Sequence, residues 1–187
     1  MSALPFVLSI LALLLTPGPT NTLLAIGAAS AGFRRALPLV LAELSAYVLV
    51  VTPLATVAAG FLLAYPLAAA LLKACSAAWI LFLAIRLWLP QPENVGDVSV
   101  RHVFVTTLLN PKAIIIGLVI MPHGPLHEIA GHLALFAGLI VFASLSWLLF
   151  GAFALGRVQS AAPQAMRRIA SVILAGFSVL LTSSLIA

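Results

Sequence analysis

The chain has 187 residues, of which 64% are hydrophobic and only 7% are charged, and its net charge is +5. Soluble domains carry about 25% charged residues, so this composition excludes an ordinary soluble domain. The basic residues are scattered and not interleaved with aromatic residues, so we expect no nucleic-acid partner.

Apolar segments of about 20 residues recur along the whole chain, which is typical of transmembrane helices. The longest linker, 89–102, separates two groups of three segments. We therefore predict an all-α integral membrane protein with a single domain over 1–187, in which repeat one covers about 1–88 and repeat two about 103–187. The six predicted spans are 3–31, 37–60, 65–88, 103–121, 129–154 and 168–187.

The first span is interrupted near its middle by the sequence TPGPTN, residues 16–21. Proline removes a helical hydrogen bond and clashes with the preceding turn, so we expect this helix to break there. A signal peptide would begin with basic residues, and residues 1–33 contain no Lys or Arg. We therefore interpret this segment as a retained span.

Two ionisable residues lie in the second and third spans. Glu43 is the only acidic residue inside a span, and a charge near the bilayer centre costs at least about 2.5–3.5 kcal/mol. It is our candidate for coupling to an ion gradient, and the alternative is a fixed ion pair with Lys112 or Lys73. Lys73 is a candidate second lysine of the site, unless its long side chain extends to the outer membrane surface.

The fourth span contains a second break, at Asn110-Pro111-Lys112. The short sequences LLTP (14–17) and LLNP (108–111) align about half the chain apart, and three helices per half make the second half run inverted. Two proline-interrupted spans at matching positions of inverted halves indicate a transporter site, although a proline can also merely kink a membrane helix. The candidate substrate-binding residues are Thr16, Pro17, Gly18, Pro19, Asn21, Asn110, Pro111 and Lys112.

The chemistry of these residues suits a zwitterion. Lys112, together with helix N-termini, would bind a carboxylate or hold the broken helix ends. The side chains of Asn21 and Asn110, with freed backbone carbonyls, would bind an ammonium group. A broken backbone at this depth must face a cavity or a solute, because lipid cannot satisfy its polar groups.

Three histidines, His123, His127 and His132, precede or begin the fifth span. His127 and His132 are five residues apart, whereas the zinc-binding HExxH motif places its histidines four apart on one helical face. We therefore expect a polar outer loop and no metal site. No catalytic or cofactor-binding motif is present, so we expect no enzyme and no cofactor.

The basic residues also predict the orientation. Seven of the nine Lys and Arg residues lie in or beside the loops that follow the first, third and fifth spans, and none lies in the other loops. Basic loops stay in the cytoplasm. Both termini are therefore expected outside.

The chain resembles the lysine exporter (LysE/RhtB) family over essentially its full length. The resemblance rests on TPGPTN (16–21), GFRRALP (32–38), NPKA (110–113) with the apolar run to Pro122, and more loosely on 73–88. The chain departs from the family pattern at Ala42, Glu43, Ala46, Ser76 and Trp79.

This resemblance implies secondary active export of an amino acid or related metabolite across the bacterial inner membrane, driven by a proton or cation gradient. The expected partners are an amino acid-like substrate, H⁺ or Na⁺, and membrane lipid, and a homo-oligomer is left open. The alternatives are a divalent metal-cation exporter of a related superfamily, or an intramembrane enzyme or scaffold.

Overall fold

The computed structural model describes residues 3–58, 65–89, 98–155 and 163–186, and within these ranges every regular element is a helix. The helices are α1 (Ala3–Leu15), α2 (Pro19–Ala31), α3 (Phe33–Pro53), α4 (Pro66–Trp88), α5 (Val100–Leu108), α6 (Pro111–Ile115), α7 (Leu126–Leu149) and α8 (Pro163–Ile186). Three of them continue into wider, π-helical turns, α3 at Leu54–Ala58, α6 at Ile116–Ile120 and α7 at Phe150–Leu155.

The all-helical class predicted from the sequence is confirmed, and each predicted apolar segment contains helix. Two helices in the described ranges, Phe33–Val57 and Leu126–Leu155, are long and apolar enough to cross a membrane. Two bent pairs pass the same test if each pair is one span, which gives up to four. The six-span inverted arrangement stays a prediction, and most of the 89–102 linker lies outside the described residues.

Both predicted helix breaks are present. The helix axis turns by 61° between α1 and α2, and by 45° between α5 and the α6 segment. Pro19 and Pro111 each occupy the start of the helix that follows the break. Proline is favoured there because the first N–H groups of a helix have no partner within it.

The outer surface of the bundle is apolar. Val57 is 82% exposed, Phe153 74% and Val119 73%, and many leucines and isoleucines are similarly open. A soluble monomer rarely exposes apolar surface on this scale. The surface is therefore compatible with surrounding lipid.

The helices pack around α3, which contacts α2, α5 and α7. Helices α4 and α8 form a second pair, joined by hydrogen bonds from Ser171 Oγ to the Ala84 carbonyl (2.6 Å) and from Ser178 Oγ to the Ala77 carbonyl (2.9 Å). Small residues let the backbones of apolar helices approach closely, and hydroxyl groups add bonds between them.

Among the described glycines, Gly151 at the end of α7 lies closest to the backbone of another helix, α2. A Cβ added at Gly151 would lie 2.2 Å from the Ala25 carbonyl oxygen, which belongs to the backbone and cannot rotate away. Gly138, on α7 itself, has open space around its added Cβ. Gly151 therefore allows α7 to pack on α2, whereas Gly138 makes no such contact.

Replacing Gly151 with alanine is expected to destabilise the protein by about 1–3 kcal/mol, because the two helices must separate. Gly138→Ala is the matched control and is expected to gain up to about 1 kcal/mol from its better helix propensity. Thermal unfolding of both variants in the same detergent checks this pair. Equal shifts would contradict the close α2–α7 contact.

Candidate functional site

The two helix breaks meet each other. The Lys112 ammonium, one residue past Pro111, donates a hydrogen bond to the backbone carbonyl of Thr16 at the end of α1. In the opposite direction, Asn110 Nδ2 donates to Thr20 Oγ1 in the first turn of α2 (3.0 Å). Each break therefore contributes groups that bind the other, across more than 80 residues of sequence.

The carbonyls at the end of α1 are available because the helix stops there. The last carbonyls of a helix have no partner within it and must be satisfied by other groups. Asn21 Nδ2 donates to the carbonyls of both Leu14 and Thr16, at 2.8 Å each. The Asn21 amide therefore turns back from α2 and holds the broken end of α1, while Lys112 binds the Thr16 carbonyl as well.

Gly18 makes the room that the lysine occupies. Its backbone is extended, and a Cβ added there would lie 2.9 Å from Lys112 Nζ and 3.1 Å from Lys112 Cε. Pro17 beside it is exposed, whereas Pro19 is buried at the start of α2. Because Gly18 has no side chain, it leaves a space between the two prolines, and the Lys112 side chain occupies this space.

A row of buried polar groups also connects the two breaks. Asn110 Oδ1 accepts the backbone N–H of Lys112 (3.0 Å) and caps α6, while its Nδ2 group reaches Thr20. Thr107 Oγ1 donates to the Val103 carbonyl (2.8 Å) and lies 3.3 Å from Thr20 Oγ1. Buried polar groups with complete hydrogen bonding fix one arrangement of the backbone.

Glu43 lies on α3 and is 2% exposed. Its Oε2 atom is 2.5 Å from Ser144 Oγ on α7, and that hydroxyl is also 2.7 Å from the Ile140 carbonyl oxygen. Tyr47, one turn further along α3, is 1% exposed, and its ring stands edge-on to Phe136. The carboxyl group is thus enclosed between α3 and α7.

The charges of Lys112 and Glu43 attract each other. They do not form a direct ion pair: among the described residues, the one pair with N···O within 4 Å is His127–Glu128. The lysine instead hydrogen-bonds the Thr16 carbonyl. The alternative to a coupling role, a fixed ion pair of Glu43 with Lys112, is therefore not formed at this distance. The side chain of Lys73, the other alternative partner, lies outside the described residues.

Sequence reasoning missed three residues of the candidate site. These are Thr20 and Thr107, which lie between the breaks, and Ser144, which bonds Glu43. Thr20 stands inside the TPGPTN motif, so its position was a usable signal. Thr107 and Ser144 lie within apolar helices, where a hydroxyl group often bonds the carbonyl four residues earlier, as both do here. Nothing in the sequence separates them from such ordinary cases.

The described contacts of His127 and His132 do not involve the residues of the two helix breaks. The His132 ring packs edge-on against Phe6 at 5.2 Å between centroids, and His127 lies 3.8 Å from the exposed Glu128 carboxylate. No three His, Cys, Asp or Glu side chains in the described ranges are placed to hold one metal ion.

No family model, curated protein or solved structure matches this chain. The resemblance to the lysine exporter family therefore stays a prediction from sequence motifs. The geometry of the two breaks is the independent basis for a functional proposal.

Proposed function

We propose that the protein is a secondary active exporter of an amino acid or a related small metabolite across the bacterial inner membrane. The observation that carries this proposal is the hydrogen bond from the Lys112 ammonium to the Thr16 carbonyl, because it joins the two helix breaks. Broken helices that meet in an apolar bundle are the usual way in which transporters build a solute site.

The same groups match both ends of an amino acid. The Thr16 carbonyl already binds one ammonium group, that of Lys112, and a substrate ammonium can replace it there. The displaced Lys112 then binds the substrate carboxylate, close to the first turns of α2 and α6. Substrate binding in this proposal exchanges an internal hydrogen bond for two charge-assisted bonds to the ligand.

Glu43 supplies the coupling group in this proposal. It is a buried acidic residue whose charge interacts with Lys112, so gaining or losing a proton changes the field at the site. Whether H⁺ or Na⁺ drives export, the coupling ion must bind at a group whose charge changes the affinity of the substrate site.

The proposed architecture is two inverted three-helix repeats, with α1–α2 and α5–α6 as the broken spans. The breaks then lie at similar depth near the middle of the bilayer, where unwound backbone lines a solute path. The distribution of basic residues supports this orientation, with the loops after the first, third and fifth spans in the cytoplasm.

Cysteine labelling checks the orientation. In a Cys75→Ser background, we expect Ser160→Cys to resist a membrane-impermeant thiol reagent applied to intact cells, and His127→Cys to react. Permeabilised cells should label both positions. Efficient labelling of position 160 from outside would overturn the proposed topology.

A transport assay tests the function itself. The purified protein is reconstituted into liposomes, an ion gradient is imposed, and movement of a panel of labelled amino acids is measured. We expect gradient-dependent movement of at least one amino acid and none in protein-free liposomes. Movement of divalent cations but of no amino acid would refute the proposal in favour of metal export.

A further inference from the structure

We infer that the protein binds the phosphate group of an anionic phospholipid in a cavity between α2, α3 and the start of α5, and that Arg35 holds this group. The cavity has a volume of about 200 Å³. None of its described lining residues belongs to the two helix breaks, so the inference goes beyond the proposed export function.

Arg35 supplies the charge of the cavity. Its side chain lines the cavity, is exposed, and forms no hydrogen bond or ion pair with any residue that the structure describes. No Asp or Glu is among the described lining residues. A guanidinium group is planar, and its fork of N–H donors matches two oxygen atoms of a phosphate. The cavity therefore offers a positive charge whose donors are still available.

Two serine hydroxyl groups add polar contacts to the wall. Ser99 Oγ accepts the backbone N–H of His102 (3.2 Å), and its own proton is donated to no other described residue. Ser30 Oγ donates to the Ile26 carbonyl (3.0 Å), which leaves its oxygen able to accept. A phosphate group in the cavity can therefore accept from both Arg35 and Ser99, and a glycerol hydroxyl group can donate to Ser30.

Two helices begin at this cavity and strengthen its positive field. Arg35 lies in the first turn of α3, Val100 is the first residue of α5, and both line the cavity. The N-terminal end of a helix carries a partial positive charge that acts within about one turn. The two helix starts therefore add to the charge of Arg35.

The size of the cavity fits a phosphate group. A water molecule, which is a single heavy atom, has a share of about 30 Å³ in the liquid. A cavity of about 200 Å³ therefore has room for the five heavy atoms of a phosphate group and a bonded carbon atom. The apolar part of the wall, which includes Pro38, Leu39 and Val98, suits such carbon atoms.

The location of the cavity favours a lipid as the source of the phosphate. Pro38 lines the cavity, and Leu41, three residues further along α3, is 67% exposed. Residues three apart are neighbours on a helix surface, so a lipid with its phosphate at Arg35 can place an acyl chain along Leu41. Basic pockets between membrane helices on the cytoplasmic side bind the head groups of anionic lipids. The proposed orientation places this end of α3 on that side.

The competing occupant is a carboxylate group of the chain itself. Asp97 directly precedes Val98 in the sequence and lies outside the described residues. A carboxylate bound to Arg35 would neutralise the cavity and leave a lipid phosphate without a partner. The experiments must therefore distinguish a lipid, free phosphate and this carboxylate.

Native mass spectrometry of the purified protein in detergent tests the ligand, because it counts bound lipids without requiring transport. The protein is titrated with phosphatidylglycerol, with phosphatidylethanolamine, or with phosphatidylglycerol in excess inorganic phosphate. We expect phosphatidylglycerol to bind at least about fivefold more tightly than phosphatidylethanolamine, whose ammonium group finds no described acidic side chain in the cavity. Equal binding of the two lipids, or displacement of the lipid by inorganic phosphate, overturns the inference.

Two arginine variants place the lipid at this cavity. Arg35→Gln and Arg34→Gln each remove one positive charge from the first turn of α3, but Arg34 is not among the described lining residues. We expect Arg35→Gln to weaken phosphatidylglycerol binding about tenfold or more, and Arg34→Gln about twofold or less. Thermal unfolding should show both variants to be folded, because Arg35 bonds no described residue. Equal losses of binding would indicate general surface attraction and overturn the site.

Two further variants test the cavity volume and the competing carboxylate. Ser30→Leu fills the cavity and should abolish lipid binding, whereas Ser45→Leu, at a second exposed serine that bonds its own helix, should not. Asp97→Asn should bind phosphatidylglycerol as the wild type does. Binding that appears only in Asp97→Asn overturns the inference in favour of the carboxylate. All of these results are independent of the transport assay, so their failure leaves the proposed export function standing.

Discussion

Replacing Lys112 with methionine is expected to weaken substrate binding by about a hundredfold and to leave the protein folded. Removing one partner of a buried, hydrogen-bonded charge pair costs about 2–5 kcal/mol of binding free energy. The fold tolerates the change because the Thr16 carbonyl keeps its hydrogen bond from Asn21 Nδ2 at 2.8 Å. Binding of labelled substrate and thermal unfolding, measured on the same preparation, check both parts.

The alternative partner of Lys112 is Glu43, and it gives a different result. If the two residues stabilised each other, either Lys112→Met or Glu43→Gln would cost about 3–5 kcal/mol of stability, and the double variant would recover it. The separation of the two groups beyond ion-pair distance argues for small single effects. Recovery of stability in the Lys112→Met, Glu43→Gln double variant would therefore contradict the proposal that Lys112 binds the substrate carboxylate.

Glu43→Gln is expected to reduce gradient-driven export by at least about tenfold while expression and substrate binding are retained. Glutamine keeps the shape of the buried side chain and its contact with Ser144, but it cannot gain or lose a proton. Lys112 is the charged group that acts on Glu43, and it remains in this variant. Export rates at a fixed substrate concentration, with and without an imposed pH gradient, measure the effect.

Ser144→Ala is the informative companion to this variant. It removes the hydroxyl group beside Glu43 but leaves the carboxyl group able to titrate. We expect export in Ser144→Ala to remain gradient-dependent with an altered pH profile. A Glu43→Gln protein whose pH profile matches that of the wild type would show that the carboxyl group is only structural.

The sequence predicts the helical class and the positions of the breaks well, for identifiable reasons. Apolar segments of this length leave few alternatives to helix, and the PGP and NPK motifs remove helical hydrogen bonds at defined positions. Proline alone is not sufficient, since Pro38 lies within α3 without ending it. The second proline with glycine, and asparagine as a helix cap, distinguish the true breaks.

The contacts across the breaks are harder to predict. The sequence allows Lys112 either to bind a carboxylate or to hold helix ends, and it does not choose between these roles. Its bond to the Thr16 carbonyl depends on how α6 packs beside α1 and α2, which is a tertiary property. The π-helical turns after α3, α6 and α7 were also not predicted, because a one-residue widening leaves no mark on apolar periodicity.

The hydroxyl of Ser144 carries one proton but stands within reach of two oxygen atoms, Glu43 Oε2 and the Ile140 carbonyl. It can donate fully to only one of them at a time. When Glu43 is ionised, its charge attracts that proton; when Glu43 is protonated, it becomes the donor and frees the serine proton for the carbonyl. A change in the charge of Glu43 on α3 therefore changes the hydrogen bond that the Ser144 hydroxyl donates to the backbone carbonyl of Ile140 on α7.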